Sequence, residues 1–170
     1  DNARAWFHRG IALLALRLPG EAAASLQRSL DIDPSNPEGW ARLARAREEG
    51  GNRTGAVEAL RRSAEEQPGD AATWLQLGEL ELGLGRAADA LASGDRAAER
   101  DPSLAGAWFL RGRALMALRR PEESHESLER SLSLDPEQGS TWFRDGLVLE
   151  ELGRHREAAA AFEQAIGVNP

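Results

Sequence analysis

The sequence of 170 residues contains neither cysteine nor lysine. Without cysteine there is no disulfide, no thiolate metal ligand and no cysteine nucleophile. All 21 basic residues are therefore arginine, and 28 acidic residues leave a formal net charge of −7. A protein that binds a phosphate backbone needs a cationic surface, so this acidic balance disfavours nucleic acid as a partner.

Long apolar runs are also missing. The most apolar early run, GIALLAL at residues 10–16, is shorter than the roughly 20 residues that a membrane-spanning helix needs. We therefore predict no membrane segment, no signal peptide and a cytoplasmic location. The composition, 41% hydrophobic and 29% charged, is typical of a globular protein, and the spread of glycine and proline along the chain predicts one continuous body.

Five tryptophans recur at a constant interval of 34 residues, and a proline follows each of them 28 residues later. The tryptophans are Trp6, Trp40, Trp74, Trp108 and Trp142, and the prolines are Pro34, Pro68, Pro102, Pro136 and Pro170. Self-similarity at a fixed period indicates a repeat architecture. The sequence therefore predicts five copies of one unit, with the tryptophans in its core.

Small residues recur at two fixed positions after each tryptophan. They stand four positions later (Gly10, Ala44, Gly78, Gly112, Gly146) and sixteen positions later (Ala22, Ala56, Ala90, Ser124, Ala158). In copy four, Trp108, Gly112 and Leu115 share one face of a helix. Small side chains at such positions let two helices approach closely, so each copy is predicted to be a packed helix pair.

Two kinds of turn are predicted between the helices of a pair. Copies two, three and five have Gly51, Gly85 and Gly153 where a left-handed residue ends the first helix. Copies one and four have Arg17 and Arg119 there, and Pro19 and Pro121 then open the second helix. Pro37 is predicted in the first turn of the next helix, where its missing N–H is not needed.

This pattern resembles the tetratricopeptide repeat family over essentially the whole chain. The resemblance implies an all-α fold, a right-handed α-solenoid of stacked antiparallel helix pairs. It divides residues 1–170, a single array, into repeats 3–36, 37–70, 71–104, 105–138 and 139–170. Because no solvating cap helix follows Pro170, we expect the sequence to be a piece of a longer protein.

Some positions depart from the family's pattern. The family's leucine three residues after the tryptophan is present as Leu43 and Leu77 but replaced in the other copies by Arg9, Arg111 and Asp145. Arg47 and Glu81 occupy a slot that is apolar elsewhere, and Gly94 replaces a large residue of the second helix. Glycine inside a helix costs about 0.5–1 kcal/mol relative to alanine. Copies two and three are therefore expected to be the least stable.

No motif for catalysis or for a cofactor stands out. GLGRAA at residues 83–88 satisfies a dinucleotide-binding pattern, but that pattern functions after a strand and here a helix precedes it. His8, His125 and His155 occupy different repeat positions and are expected on the surface, without carboxylate neighbours for a metal. Acidic pairs such as Glu48 and Glu49 point in different directions on a helix. We predict that the chain is not an enzyme and takes no cofactor or metal.

The resemblance also implies where a ligand binds. In family members the first helices line a concave groove, through residues one, five and eight positions after each tryptophan. The groove implied here is apolar at both ends and charged in the middle. The candidate ligand-binding residues are Phe7, Ile11, Leu14, Arg45, Leu75, Glu79, Leu82, Phe109, Arg113, Met116, Phe143 and Leu147.

Two alternatives stay open for these residues. The phenylalanines either contact a ligand or pack between neighbouring first helices. Arg45 and Arg113 either receive a carboxylate or pair within the array, for example with Glu48 or Glu79. Members of the family that clamp a chaperone's terminal carboxylates use lysine and asparagine where Phe7 and Ile11 stand, so that ligand is not expected.

Three functions follow as hypotheses. The favoured one is a module that binds a protein or peptide in the groove, with Phe109, Met116 and Phe143 as anchors and Arg113 as the orienting group. The second is an array that assembles with itself through its open ends, where Phe162 and Ile166 lie. The third is a substrate-docking arm of a larger enzyme.

Overall fold

The structure, a computed structural model, describes residues 2–168, which form ten helices in five consecutive pairs. The helices are α1 (Asn2–Ala15), α2 (Pro19–Ile32), α3 (Pro37–Glu49), α4 (Arg53–Glu66), α5 (Ala71–Gly83), α6 (Ala87–Arg100), α7 (Ala105–Ala117), α8 (Pro121–Leu134), α9 (Gly139–Glu151) and α10 (His155–Val168). The all-α class is confirmed, with one helix pair in each predicted repeat. Asp1 and Pro170, on which part of the periodic pattern rests, lie outside the described residues.

The turn within each pair contains one residue of left-handed backbone, as predicted. The glycines Gly51, Gly85 and Gly153 have φ of 81°, 75° and 73°. Arg17 and Arg119 have φ of 58° and 59°, and Pro19 and Pro121 begin the helices that follow. In copy four the N–H of Arg120 donates to the carbonyl of Leu115 at 3.0 Å, which ends α7 in the manner of a Schellman motif.

The turn between pairs is held by a proline and a tryptophan. Pro37 begins α3 as predicted, and Asn36 caps that helix by accepting a hydrogen bond from the N–H of Gly39 at 3.0 Å. The indole N–H of Trp108 donates to the carbonyl of Pro102 at 3.1 Å. Trp108 is only half-buried. The prediction that every tryptophan lies in the core was therefore wrong, because the indole must reach the turn at the edge of the repeat.

The helices of a pair approach closely at the predicted small residues. A Cβ on Gly10 would lie 2.5 Å from Cγ of Leu26, and one on Gly112 would lie 2.7 Å from Cγ of Leu128. Both leucines are buried. Real Cβ atoms do not approach other carbon atoms so closely, so glycine is what lets the second helix lie against the first.

The chain divides into two compact units, the first ending at Leu80 and the second beginning at Glu81. In the first unit the largest fully buried side chains include Leu26, Leu30 and Leu43, and in the second they include Leu110 and Leu128. The division of residues 1–170 into one array of five repeats stays a prediction.

The residues that depart from the family's pattern have polar partners in the structure. Arg47 donates to the carbonyl of Gly55 at 2.9 Å and to Oε1 of Gln27 at 3.0 Å. The buried carboxylate of Glu81 accepts a hydrogen bond of 2.7 Å from Oγ of Ser93. Hydrogen bonds offset part of the cost of burying such groups. The lower stability of copies two and three stays a prediction.

Candidate functional site

In the second unit, α7 and α9 carry apolar side chains that the fold does not bury completely. Phe143 and Leu147 on α9 are 51% and 37% exposed, and Phe109 and Met116 on α7 are half-buried. Phe109 and Met116 are seven residues apart and Phe143 and Leu147 four, so each pair lies on one helix face. Scattered single apolar residues are normal on a protein surface, but a group of them marks a candidate binding site.

The position of Phe143 depends on the glycine three residues after it. A Cβ on Gly146 would lie 2.5 Å from Cε1 of Phe162, so the glycine lets the Phe162 ring of α10 lie against α9. The rings of Phe143 and Phe162 are tilted by 53° with centroids 5.7 Å apart. This spacing is within the range of favourable aromatic pairs. One edge of the Phe143 ring is therefore supported while its other side stays open to a ligand.

A small cavity lies beside these side chains. Its volume is about 40 Å³, and it is lined by Gly112, Arg113, Met116, Leu128, Arg144 and Leu147. We refer to the surface formed by Phe109, Arg113, Met116, Phe143, Arg144 and Leu147 as the α7/α9 groove. The cavity has room for the tip of a small aliphatic side chain but not for an aromatic ring.

Positive charge lines the cavity. Of the six lining residues two are arginines, Arg113 and Arg144, and the other four are apolar. Arg113 lies over the ring of Phe109, with Cζ 5.4 Å from the ring centroid, an arrangement that holds the guanidinium at the groove. Arg144 is exposed and was not a candidate from the sequence, although it stands only two residues after Trp142. The groove therefore combines apolar contacts with cationic hydrogen-bond donors.

Three of the predicted site residues of the second unit, Arg113, Met116 and Leu147, line the cavity. Phe109 lies against the guanidinium of Arg113, and Phe143 is one turn before Leu147 on α9. Leu82, the sixth in this unit, is half-buried near the end of α5. Whether these residues bind a ligand stays a prediction.

The candidates in the first unit are more dispersed. Phe7, Ile11, Leu75 and Glu79 are half-buried. Phe7 lines a depression of about 430 Å³ with polar walls, which include Arg4 and Asp33. The candidate Leu14 is buried in this unit, and its role in binding a ligand stays a prediction.

Arg45 has a different partner from the two that its sequence position suggested. Its Nε lies 2.8 Å from Oε1 of Glu49, one turn further along α3. Both side chains are exposed, and an exposed pair of this spacing contributes only about 0.3–0.5 kcal/mol. The Arg45–Glu49 pair therefore lies on the solvent-exposed face of α3.

One histidine differs from its predicted position on the surface. His8 and His155 are exposed, but His125 is buried between α8 and α9. Its Nδ1 lies 2.6 Å from Oδ1 of Asp145, and its Nε2 lies 3.7 Å from Oε1 of Glu129. The expectation that no carboxylate accompanies the histidines was therefore wrong for His125. Asp145 stands at a position where the family's pattern has leucine. This charged residue in an apolar position is the sequence feature that indicates a buried polar pair.

Burial determines the acidity of Asp145. It raises the pKa of this carboxyl above its ordinary 3.8, against the lowering effect of the hydrogen bond to His125. Among residues 2–168 no group of three or more histidine and acidic side chains is arranged to hold a metal ion. The His125–Asp145 contact joins α8 and α9, which belong to two neighbouring repeats.

The stacked helix pairs make this chain a helical-repeat protein. Family models described as tetratricopeptide repeat match residues 13–80 and residues 109–170. The chain belongs to the tetratricopeptide repeat family, whose members bind proteins or peptides, and it is a protein-interaction module of that kind.

Solved structures show the same fold. A crystal structure of MamA protein is 20% identical, with a TM-score of 0.92, and the match covers 98% of this chain and 91% of that one. MamA from Desulfovibrio magneticus RS-1 is 21% identical, with a TM-score of 0.89 over 99% of this chain and 95% of that one. These likenesses confirm the α-solenoid class.

No curated protein sequence matches the chain significantly. Over the described part of the chain, none of the helices combines the length and the apolar character needed to cross a membrane.

Proposed function

We propose that the chain is a non-catalytic module that binds a segment of a protein in the α7/α9 groove. Phe109, Met116 and Phe143 serve as apolar anchors, and Arg113 orients the bound segment. The observation that carries this proposal is the partial exposure of Phe143 and Leu147 beside a cavity lined by two arginines.

The groove favours a ligand with one or more apolar residues flanked by acidic ones. Complete burial of a phenylalanine or leucine side chain is worth about 1.5–3 kcal/mol. Because Phe143 and Leu147 are already partly covered, a ligand gains only roughly 1–2 kcal/mol from the two together. Affinity must then also come from hydrogen bonds between carboxylates and the guanidinium groups. The net charge of −7 supports a protein ligand rather than nucleic acid.

The test begins with selection of peptides from a displayed random library on the 170-residue chain. We expect enrichment of sequences in which an apolar residue is flanked by aspartate or glutamate. Phe143→Glu places a like charge beside the acidic ligand and removes an anchor, so it should lower affinity for the selected peptides by at least about tenfold.

The matched control is Ile32→Glu, which makes the same kind of change at an exposed apolar residue of α2. It should bind the selected peptides like the unmodified chain. Circular dichroism shows whether both variants keep their helices. Equal affinity for the Phe143→Glu variant and the unmodified chain would rule out the α7/α9 groove as the site.

A further inference from the structure

The residues that line the cavity of the α7/α9 groove differ in burial. Gly112 and Leu128 are buried, and we call them the floor of the cavity. Arg144 and Leu147 are exposed, and we call them its rim. A ligand side chain that enters the cavity therefore meets apolar atoms at the floor, while the part of the ligand that stays outside lies beside the guanidinium of Arg144.

Arg144 and Arg42 occupy the same repeat position, two residues after the tryptophan, but their surroundings differ. Nη2 of Arg42 lies 3.1 Å from Oε1 of Glu38, one turn earlier on α3. Ser140 and Val148 stand one turn before and one turn after Arg144, so α9 offers it no carboxylate at this spacing. Within residues 2–168, Arg144 makes no hydrogen bond and no ion pair. The five N–H donors of its guanidinium are therefore available to a ligand.

The carboxylate next to Arg144 in the sequence is engaged elsewhere. Asp145 is buried, and its Oδ1 lies 2.6 Å from Nδ1 of His125 on α8. Adjacent residues of a helix point about 100° apart. Asp145 therefore faces α8, whereas Arg144 borders the cavity.

The second arginine of the cavity is in a different environment. Arg113 is half-buried, and its Cζ lies 5.4 Å from the centroid of the Phe109 ring. This contact holds the Arg113 side chain against α7. Arg144 is the exposed arginine of the two, and it has no such contact. We therefore expect the two arginines to contribute differently to the choice of ligand.

The size of the cavity limits which side chain enters it. A volume of about 40 Å³ admits the aliphatic tip of alanine or valine and excludes a phenyl ring. In an extended peptide, side chains two positions apart point to the same side and are about 6.5–7 Å apart along the chain. A carboxylate two positions from the residue in the cavity is then within reach of the long side chain of Arg144.

We propose that Arg144 and the cavity together determine which protein segments bind in the α7/α9 groove. The segment places an alanine or a valine in the cavity, and an aspartate or glutamate two positions away binds the guanidinium of Arg144. This inference rests on the proposed function. Arg113 orients the bound segment, and Arg144 distinguishes acidic segments from neutral ones.

A double-mutant cycle tests the charged contact. Calorimetry measures the peptides selected on the 170-residue chain and the same peptides with the acidic residue replaced by its amide. For the unmodified chain the amide peptide should bind about ten- to a hundredfold more weakly, because a charge-assisted hydrogen bond is lost. For Arg144→Gln the two peptides should differ less than about twofold, because their partner is already missing.

Two further variants serve as controls for this cycle. Arg42→Gln makes the same change at the same repeat position, where the arginine is paired with Glu38, and should bind both peptides like the unmodified chain. Arg113→Gln should bind both peptides more weakly and keep the ten- to a hundredfold difference between them, about that of the unmodified chain.

A change of cavity size tests the apolar part of the proposal. Replacing the alanine or valine of a selected peptide with phenylalanine should lower its affinity for the unmodified chain at least about tenfold. Met116→Ala shortens a side chain that lines the cavity and enlarges it. In this variant the difference between the two peptides should fall to about threefold or less. A merely destabilised groove would weaken both peptides and leave their ratio unchanged.

The possible failures of this inference and of the proposed function are distinguishable. Coupling of the peptide carboxylate to Arg113 instead of Arg144, or equal binding of the small and the phenylalanine peptides, would overturn the inference. The groove would remain the binding site in that case, because Phe143→Glu would still weaken the selected peptides. Selection of no peptide at all, or of peptides that Phe143→Glu does not affect, would contradict the proposed function and this inference with it.

Discussion

The indole N–H of Trp142 donates a hydrogen bond of 2.9 Å to the backbone carbonyl of Pro136. Earlier repeats have the same contact, from Trp40 to Pro34, Trp74 to Pro68 and Trp108 to Pro102. The tryptophan and the proline, which recur most regularly in the sequence, are therefore hydrogen-bonded to each other. The tryptophan that begins a repeat fixes the turn that closes the repeat before it.

Replacing Trp142 with phenylalanine removes this hydrogen bond and keeps an aromatic ring. We expect Trp142→Phe to lower the free energy of unfolding by about 0.5–1.5 kcal/mol. Urea unfolding followed by circular dichroism measures the loss, and an unchanged free energy of unfolding would show that the bond contributes nothing.

Gly146 lets two helices approach closely. In the Gly146→Ala variant the new methyl group would lie 2.5 Å from the Phe162 ring, so the ring or the helix that carries it must shift. We expect a loss of about 1–3 kcal/mol in the free energy of unfolding. Gly20→Ala on α2 is the control, because no atom lies within 4 Å of its added Cβ, and it should stabilise the chain by about 0.4–1 kcal/mol. A melting temperature unchanged by Gly146→Ala would contradict the close approach.

The sequence was sufficient to predict the helix pairs and the turns between them. Each depends on residues close together in the chain: Gly85 and Arg119 adopt the left-handed backbone, and Pro121 begins its helix, where the period placed them. Because local patterns of this kind recur in five copies, a helix or turn that is poorly indicated in one copy can be predicted from the others.

The exposure of single side chains was harder to predict, because it depends on neighbouring helices that the period does not describe. Leu14 and Met116 occupy the same repeat position, yet Leu14 is buried and Met116 borders a cavity. The pairing of His125 with Asp145 joins residues of two different repeats, and no pattern within one repeat contains it. Arg144 was missed because its position is not one of the groove positions that the family resemblance implies.

The raised pKa of Asp145 predicts a dependence of stability on pH. The folded chain holds the proton of this buried carboxyl more tightly than the unfolded chain does. Its contribution to stability therefore falls as the pH rises from 3.8, its ordinary value, through the raised pKa. Asp145→Asn removes the titration, so the melting temperature of this variant relative to the unmodified chain should be higher at about pH 7 than at about pH 4.

Glu157 provides a control of opposite sign. The hydrogen bond from Arg154 lowers the pKa of Glu157 below 4.5, so its contribution to stability is present above that pH and is lost as the pH falls. Glu157→Gln should therefore lower the melting temperature at about pH 7 and have less effect at about pH 4, although the effect is small because the pair is exposed. A pH profile of Asp145→Asn parallel to that of the unmodified chain would contradict the effect of burial on Asp145.

Met116 is the only methionine of the chain, and it borders the cavity of the α7/α9 groove. Labelling with methyl-¹³C methionine therefore gives a single NMR signal at the proposed binding site. Titration with a selected acidic peptide should shift this signal, and the shift should be half complete when the free peptide concentration equals the dissociation constant found by calorimetry. A peptide that binds in the calorimeter and leaves the Met116 methyl signal unmoved would show that the ligand binds elsewhere.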